Sequence, residues 1–153
     1  RLFLAAGRPR EAVDLFAQVP GSRLDEMEDE TTLVQVGRAM VEARRNDEAL
    51  RLLQRLKRRG SVGGVVHLLL GRALQGKNMP ELAEEELRAA HELPLDPTDE
   101  MEAAYALARV LEDRGKDADA LSVYHGLLQK HFHYADVQQR YRRLKARAPA
   151  EGA

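Results

Sequence analysis

The chain has 153 residues, enough for about one domain, with 44% hydrophobic, 32% charged and 5% aromatic residues and no tryptophan. That mixture excludes disordered, collagen-like and amyloid-like chains and suits a water-soluble helical protein built from Leu, Ala and Val. The absence of cysteine removes disulfide frameworks, Cys-based zinc sites, iron–sulfur clusters and thiol nucleophiles, and a net charge of −1 provides no overall field toward nucleic acid or an anionic membrane.

In chain order, residues 1–7 read as the end of a helix, with Gly7 at a turn and Pro9 in the first turn of the next helix, where its missing N–H costs little. That helix runs to about Val19. Pro20-Gly21-Ser22 breaks it, and the acidic stretch from Asp25 to Glu30 leads into a further helix, whose N-terminal dipole the negative charge complements. Asn46-Asp47 and Gly60-Ser61 punctuate the following segment. The longest apolar run, Val65-Val66-His67-Leu68-Leu69-Leu70, closes at Gly71 and falls well short of the roughly 18–20 residues that span a bilayer. Beyond the turn at Gly76-Lys77-Asn78, Asp96-Pro97-Thr98 opens another helix with a capping residue followed by a helix-compatible Pro, in a loop that lengthens the local spacing. Tyr134 to Lys145 reads as a last helix, with Val137, Tyr141 and Leu144 at i, i+4 and i+7 on its apolar side and Asp136, Gln138, Gln139, Arg140, Arg142 and Arg143 opposite.

Self-similarity organises these elements. Ala12, Ala49, Ala83 and Ala120 recur at spacings of 37, 34 and 37, each followed four residues later by a large apolar residue: Phe16, Leu53, Leu87 and Tyr124. Twelve residues before the last three stand Gly37, Gly71 and Ala108, with Met40, Leu74 and Leu111 in phase below them. Two antiparallel helices approach closely only where neither carries a bulky side chain at the crossing, and large residues then fill the space beside it. The pattern resembles the tetratricopeptide repeat, a unit of about 34 residues forming two helices, A and B. The best copy runs from His67 to Ala90, and the next from Tyr105 to Tyr124. The family's early Trp is absent, its place being held by Leu33, His67 and Ala104, and Pro20, Pro94 and Pro97 lie in the inter-repeat loops.

The resemblance implies an all-α, right-handed superhelical solenoid of antiparallel helix-turn-helix repeats, forming one domain over residues 1–153. Its expected parts are a truncated repeat (1–22), three repeats (23–61, 62–97, 98–133), a capping helix (134–147) and a tail (148–153). The amphipathic last helix would cover the open end of the stack. Because the chain starts inside a repeat, without an initiator Met, the natural protein is expected to continue upstream with more helices.

No catalytic constellation emerges from the residues, and neither a cofactor nor a metal is expected. His67 occupies a packing position, while His131-Phe132-His133 is a loop pair without a third ligand at fixed spacing. Glu84-Glu85-Glu86 reads as solvated helix surface, and Gly63-Gly64 as a connecting turn without a Walker lysine or GxGxxG spacing. The basic run of Arg44, Arg45, Arg55, Lys57, Arg58 and Arg59 lacks interleaved aromatics, so nucleic acid is not an expected partner, nor is membrane insertion.

One column rises above this background. Arg1, Arg38, Arg72, Arg109 and Arg143 share one register position, which the resemblance places on the concave surface formed by the A helices. A guanidinium fork suits carboxylate or phosphate. Arg38 has Glu42, and Arg109 has Glu112 and Asp113, at intrahelical pairing distance, whereas Arg72 has no such neighbour and is the better candidate to meet an external anion. The family's carboxylate clamp is not supported, since Val34, Leu68 and Tyr105 stand where its Lys would be expected. The expectation is a non-catalytic scaffold that binds an acidic and apolar peptide or protein segment in the groove through Arg38, Arg72, Arg109, Leu68, Tyr105, Val34 and Val41. A structural spacer or self-assembly module is the alternative. The preponderance of Arg over Lys, with abundant Ala and Leu, points to a bacterial source, and the cytoplasm is the favoured location.

Overall fold

The computed structural model describes residues 11, 14, 29–60 and 63–147, and all of its elements there are helices. They are α1 (Glu30–Glu42), α2 (Asn46–Arg58), α3 (Gly64–Gly76), α4 (Pro80–Glu92), α5 (Pro97–Asp113), α6 (Asp117–Lys130) and α7 (Val137–Arg147). The truncated first repeat, the helix to Val19, the Pro20-Gly21-Ser22 break, Arg1 and the tail from 148 lie outside the described residues. Among the described residues no helix is long and apolar enough to cross a membrane.

Helices α1 and α2, α3 and α4, and α5 and α6 form three successive hairpins, and each hairpin turns by the same device. The residue five before the B-helix Ala is left-handed: Arg44 (φ 59°), Asn78 (φ 57°) and Gly115 (φ 72°). The next N–H then donates back five residues, from Arg45 to the Met40 carbonyl at 2.8 Å, Met79 to Leu74 at 3.0 Å and Lys116 to Leu111 at 2.8 Å. This is the bond that closes a Schellman cap and satisfies a terminal carbonyl of the A helix. The column Met40, Leu74 and Leu111 therefore serves twice, with side chains in the core and carbonyls in the turn.

The crossings are as close as the small residues imply. A Cβ added to Gly37 would lie 2.8 Å from Leu53 Cδ2, and one added to Gly71 only 2.5 Å from Leu87 Cγ. Ala49, Ala83, Ala120, Leu53, Leu87 and Tyr124 are all fully buried. Helix α3 joins the two halves of the core. Its Val66, Leu69, Leu70 and Ala73 pack with α1 and α2, while Leu68 and Leu74 pack in the cluster formed with α4, α5 and α6.

Helix α7 packs on α6 and buries Val137 and Leu144, with Tyr141 half-buried. It begins at Val137 rather than Tyr134, because Ala135 adopts a left-handed conformation (φ 44°) and Tyr134 sits in the turn before it. A second difference concerns Glu84 to Glu86, expected as solvated surface. Only Glu85 is exposed. Glu84 is buried and accepts hydrogen bonds from Arg88 on its own helix, from Arg114, and from Lys116 at 2.9 Å in the α5–α6 turn. Burial opposes ionisation of this carboxyl, but the donors from Lys116, Arg88 and Arg114 outweigh it and hold the pKa down to about 2. Glu86 is half-buried between Lys57 and His67.

Candidate functional site

Two cavities open where α1, α3 and α5 face one another. The larger, about 770 Å³, is bounded by Val41 and Arg44 at the end of the first hairpin's A helix, Arg72 and Gln75 of α3, Tyr105 and Arg109 of α5, and Tyr134. The other, about 610 Å³, lies toward the N-terminal ends of the same helices, between Val34 and Arg38 of α1, Gly63-Gly64 and the Pro94-Leu95-Asp96 connection to α5. Gly64 allows Leu95 to close in, since a Cβ there would stand 2.7 Å from Leu95 Cδ2.

The arginine column is divided between these cavities and between two electrostatic states. Arg38 does not pair with Glu42. Its Nη2 donates to both carboxylate oxygens of Asp99, at 3.1 and 3.0 Å, and its Nη1 lies 3.7 Å from Glu102. Arg72 has no intrahelical partner, as its spacing implies, but it is not left for an external anion, because it donates to Glu102 of α5. Asp99 is buried and fixed in place, its N–H held at 2.8 Å by the Asp96 side chain that caps α5. An anion arriving at Arg38 or Arg72 would therefore compete with carboxylates already fitted to them.

Arg109 differs. Of the intrahelical partners expected for it, Glu112 is engaged elsewhere, accepting from Arg140 at 3.1 Å and from the Tyr124 hydroxyl at 3.0 Å, while Asp113 lines the same cavity without pairing to it. Among the described residues Arg109 makes no ion pair, and its Nε is buried without a hydrogen-bond partner. Its guanidinium carbon stands 5.9 Å from the centre of the Tyr105 ring, close enough for a cation–π contact. Tyr105 in turn meets Tyr134 edge-on at 5.6 Å. The Tyr105 hydroxyl donates to Asp136 at 2.5 Å. Burial, and then this bond to a carboxylate, push the Tyr105 pKa up, so the ring stays neutral as an apolar platform with its polar end tied down. Arg143 lies at 3.8 Å from Glu112 and is mostly exposed.

The apolar residues assigned to the groove fare unevenly. Leu68 is 0% exposed and borders neither cavity, so it is a core residue and not a ligand contact. Its direction follows from α3 being covered on two sides. Val34 and Val41 are buried as well and contribute only wall surface to the two cavities. Tyr105 is half-buried and does face the larger cavity. Asp99, Glu102 and Tyr134 were not anticipated. A signal existed in the spacing, since cross-hairpin partners such as Arg72 and Glu102 or Tyr105 and Asp136 stand 30 and 31 residues apart, one repeat less about a helical turn. His67 is a satisfied packing histidine, its Nδ1 2.6 Å from Glu86. Among the described residues no group of three His, Asp or Glu is placed to hold a metal ion.

Residues 103–143 match a family model described as tetratricopeptide repeat, a span that takes in most of α5, all of α6 and the first part of α7. A search of curated proteins finds no match to the chain. Tetratricopeptide repeats are in general non-catalytic scaffolds for protein–protein interaction. With that match over the third hairpin and the same turn and crossing in the two hairpins before it, the described residues form an all-helical repeat solenoid whose third hairpin matches the tetratricopeptide repeat.

Proposed function

We propose that the chain is a non-catalytic scaffold that binds a protein segment in the larger cavity between α1, α3 and α5, with a carboxylate of that segment on Arg109 and an apolar neighbour against Tyr105 and Tyr134. The observation that carries this reading is the contrast within the arginine column. Arg38 and Arg72 are satisfied by Asp99 and Glu102, whereas Arg109 lines the cavity without an ion pair among the described residues and keeps a buried Nε unpartnered. A buried polar group without a partner costs free energy that a bound acceptor recovers. Helices and inter-hairpin ion pairs already set the walls, so little ordering opposes binding.

Selection from a displayed library of random peptides tests it. Peptides recovered with the unmodified chain should share an acidic residue beside an aromatic or aliphatic one. Arg109→Gln should weaken them about tenfold or more, as expected for a charge-assisted hydrogen bond of roughly 1.5–3 kcal/mol. Arg109→Lys, which keeps the charge and loses the fork, should fall between. Helicity of each variant is checked by circular dichroism. Peptides that bind Arg109→Gln as tightly as the unmodified chain would refute the assignment.

A further inference from the structure

Arg109 makes no ion pair among the described residues, although the spacing assigns it two carboxylates. Glu112 follows it at i+3, the distance of an intrahelical pair. Asp136 comes from the repeat register, because Arg72 and its partner Glu102 recur as Arg109 and Asp136, 37 and 34 residues on. One residue engages both carboxylates instead. Arg140 of α7 donates from Nε to Asp136 Oδ2 at 2.8 Å and from Nη1 to Glu112 Oε2 at 3.1 Å.

The A helices carry no cation at this place. Three residues before Arg38, Arg72 and Arg109 stand Gln35, Leu69 and Ala106, whereas Arg140 stands three before Arg143. Glu102, with no arginine at that place on its own helix, takes Arg72. The side chains of Arg140 and Glu112 are 18% and 12% exposed, so salt screens their contact much less than it screens a surface pair. Without Arg140, Glu112 would keep the neutral Tyr124 hydroxyl at 3.0 Å and the mostly exposed Arg143 at 3.8 Å, and Asp136 would keep the neutral Tyr105 hydroxyl at 2.5 Å. A partly buried carboxylate deprived of its cation is costly, and an unpaired guanidinium at helical spacing offers a replacement. Asp113 is a weaker competitor, since it is exposed on the cavity rim and an ion pair in water contributes little.

We propose that Arg140 is a positioning residue of the groove: it draws Glu112 and Asp136 away from Arg109 and so leaves that guanidinium unpaired for the carboxylate of a bound segment. The part played in binding rests on the groove reading given above. Asp136, held in this way, also fixes the Tyr105 hydroxyl and with it the ring beside Arg109. Helix α7 thus does more than cover the end of the stack, because its side chains set the charge that the groove offers a ligand.

The test reads the Arg109 Nε–Hε signal of the nitrogen-labelled full chain by nuclear magnetic resonance, first without ligand and then in a titration with acetyl-Asp-Phe-amide. The signal is assigned by its loss in Arg109→Gln. Arg140→Gln should release Glu112 and Asp136 to Arg109, move the signal downfield in the ligand-free chain, and weaken the peptide about threefold or more, the scale of one partly exposed charge pair. Adding Glu112→Gln and Asp136→Asn to Arg140→Gln should return the signal and restore the affinity, a rescue that mere loss of packing by α7 would not allow. Arg140→Lys keeps the charge but loses the fork that spans both carboxylates; it should move the signal part of the way and keeps the test valid if the glutamine variant folds poorly. Peptide binding that Arg109→Gln leaves unchanged would count against the groove reading, while the ligand-free signal still decides the role of Arg140. The proposal is overturned by an Arg109 signal that stays in place in both Arg140 variants, or by a shift and a loss of affinity that the added Glu112 and Asp136 substitutions do not reverse.

Discussion

Replacing Gly71 by alanine should destabilise the chain, although the same change in an exposed helix would stabilise it. The helix propensity of alanine contributes about 1 kcal/mol in favour. Against it, the new Cβ would lie 2.5 Å from Leu87 Cγ and 2.7 Å from its Cδ2. The first contact is with the branch point of a fully buried side chain, which has no open space to swing into. Overpacking of this kind costs about 1–3 kcal/mol, so a net loss of about 1 kcal/mol is expected. Gly37→Ala meets Leu53 first at a terminal methyl, 2.8 Å away, and should be nearly neutral. Leu87→Ala alone should cost about 2–5 kcal/mol through its cavity. In that background the obstruction is gone, and Gly71→Ala should raise stability by about 1 kcal/mol. Urea unfolding followed by circular dichroism measures all four variants, and a melting shift of about 2–4 °C per kcal/mol provides a second reading. A Gly71→Ala that stabilises the unmodified chain would refute the close crossing, and with it the physical reason given for the small-residue column.

Gly115→Ala and Gly126→Ala should act in opposite directions although neither new Cβ meets an atom within 4 Å, because Gly115 has φ +72° and Gly126 does not. The first should lose about 1 kcal/mol for its left-handed conformation and the second gain about as much from helix propensity, in thermal melts of each variant. Glu84 should make folding acid-sensitive. Its pKa is about 2 when folded against an ordinary 4.5, so its contribution is fully present above pH 4.5 and fades as pH falls toward 2. Glu84→Ala should cost about 3 kcal/mol at neutral pH by leaving Arg114 and Lys116 short of an acceptor, and should flatten the stability profile between pH 4.5 and 2, a result to be checked by urea midpoints at successive pH values. An unchanged profile would mean that the carboxyl is not the acidic determinant of this seam.

What was legible in the sequence follows from which interactions repeat. The crossing of an A helix with its own B helix recurs in every hairpin, so the residues that allow it recur at a fixed period, and Gly37, Gly71 and Ala108 could be read against Leu53, Leu87 and Tyr124. The turns were legible for the same reason only at Gly115 and Asn78. At Arg44 the left-handed residue is one that sequence alone would not choose. Ion partners repeat in geometry but not in residue type. Arg88 meets Asp119 and Arg45 meets Asp14, each 31 residues away, yet nothing in a single helix announces either pair. Intrahelical spacing pairs Arg38 with Glu42 and Arg109 with Glu112, but Arg38 and Glu112 reach to other helices instead, Arg38 to Asp99 and Glu112 to Arg140.

The site also depends on a departure from the period. The three residues that lengthen the spacing from 34 to 37 before α5 read as loop, but the structure places residues of this region in the helix. Helix α5 begins at Pro97 and has 17 residues, while α3 begins at Gly64, the counterpart of Met101, and has 13. The added turn carries Asp99. Capped by Asp96, it presents that carboxylate to Arg38, 61 residues earlier and two hairpins away. Lower on the same helix, Glu102 takes Arg72. The insertion thus neutralises Arg38 and ties the first A helix to the third, Glu102 in the shared part of the helix takes Arg72, and Arg109, farther along α5, makes no ion pair among the described residues. A column that looks uniform in sequence is thereby divided into two arginines that tie hairpins together and one without an ion pair among the described residues, which is why the proposed recognition is assigned to Arg109.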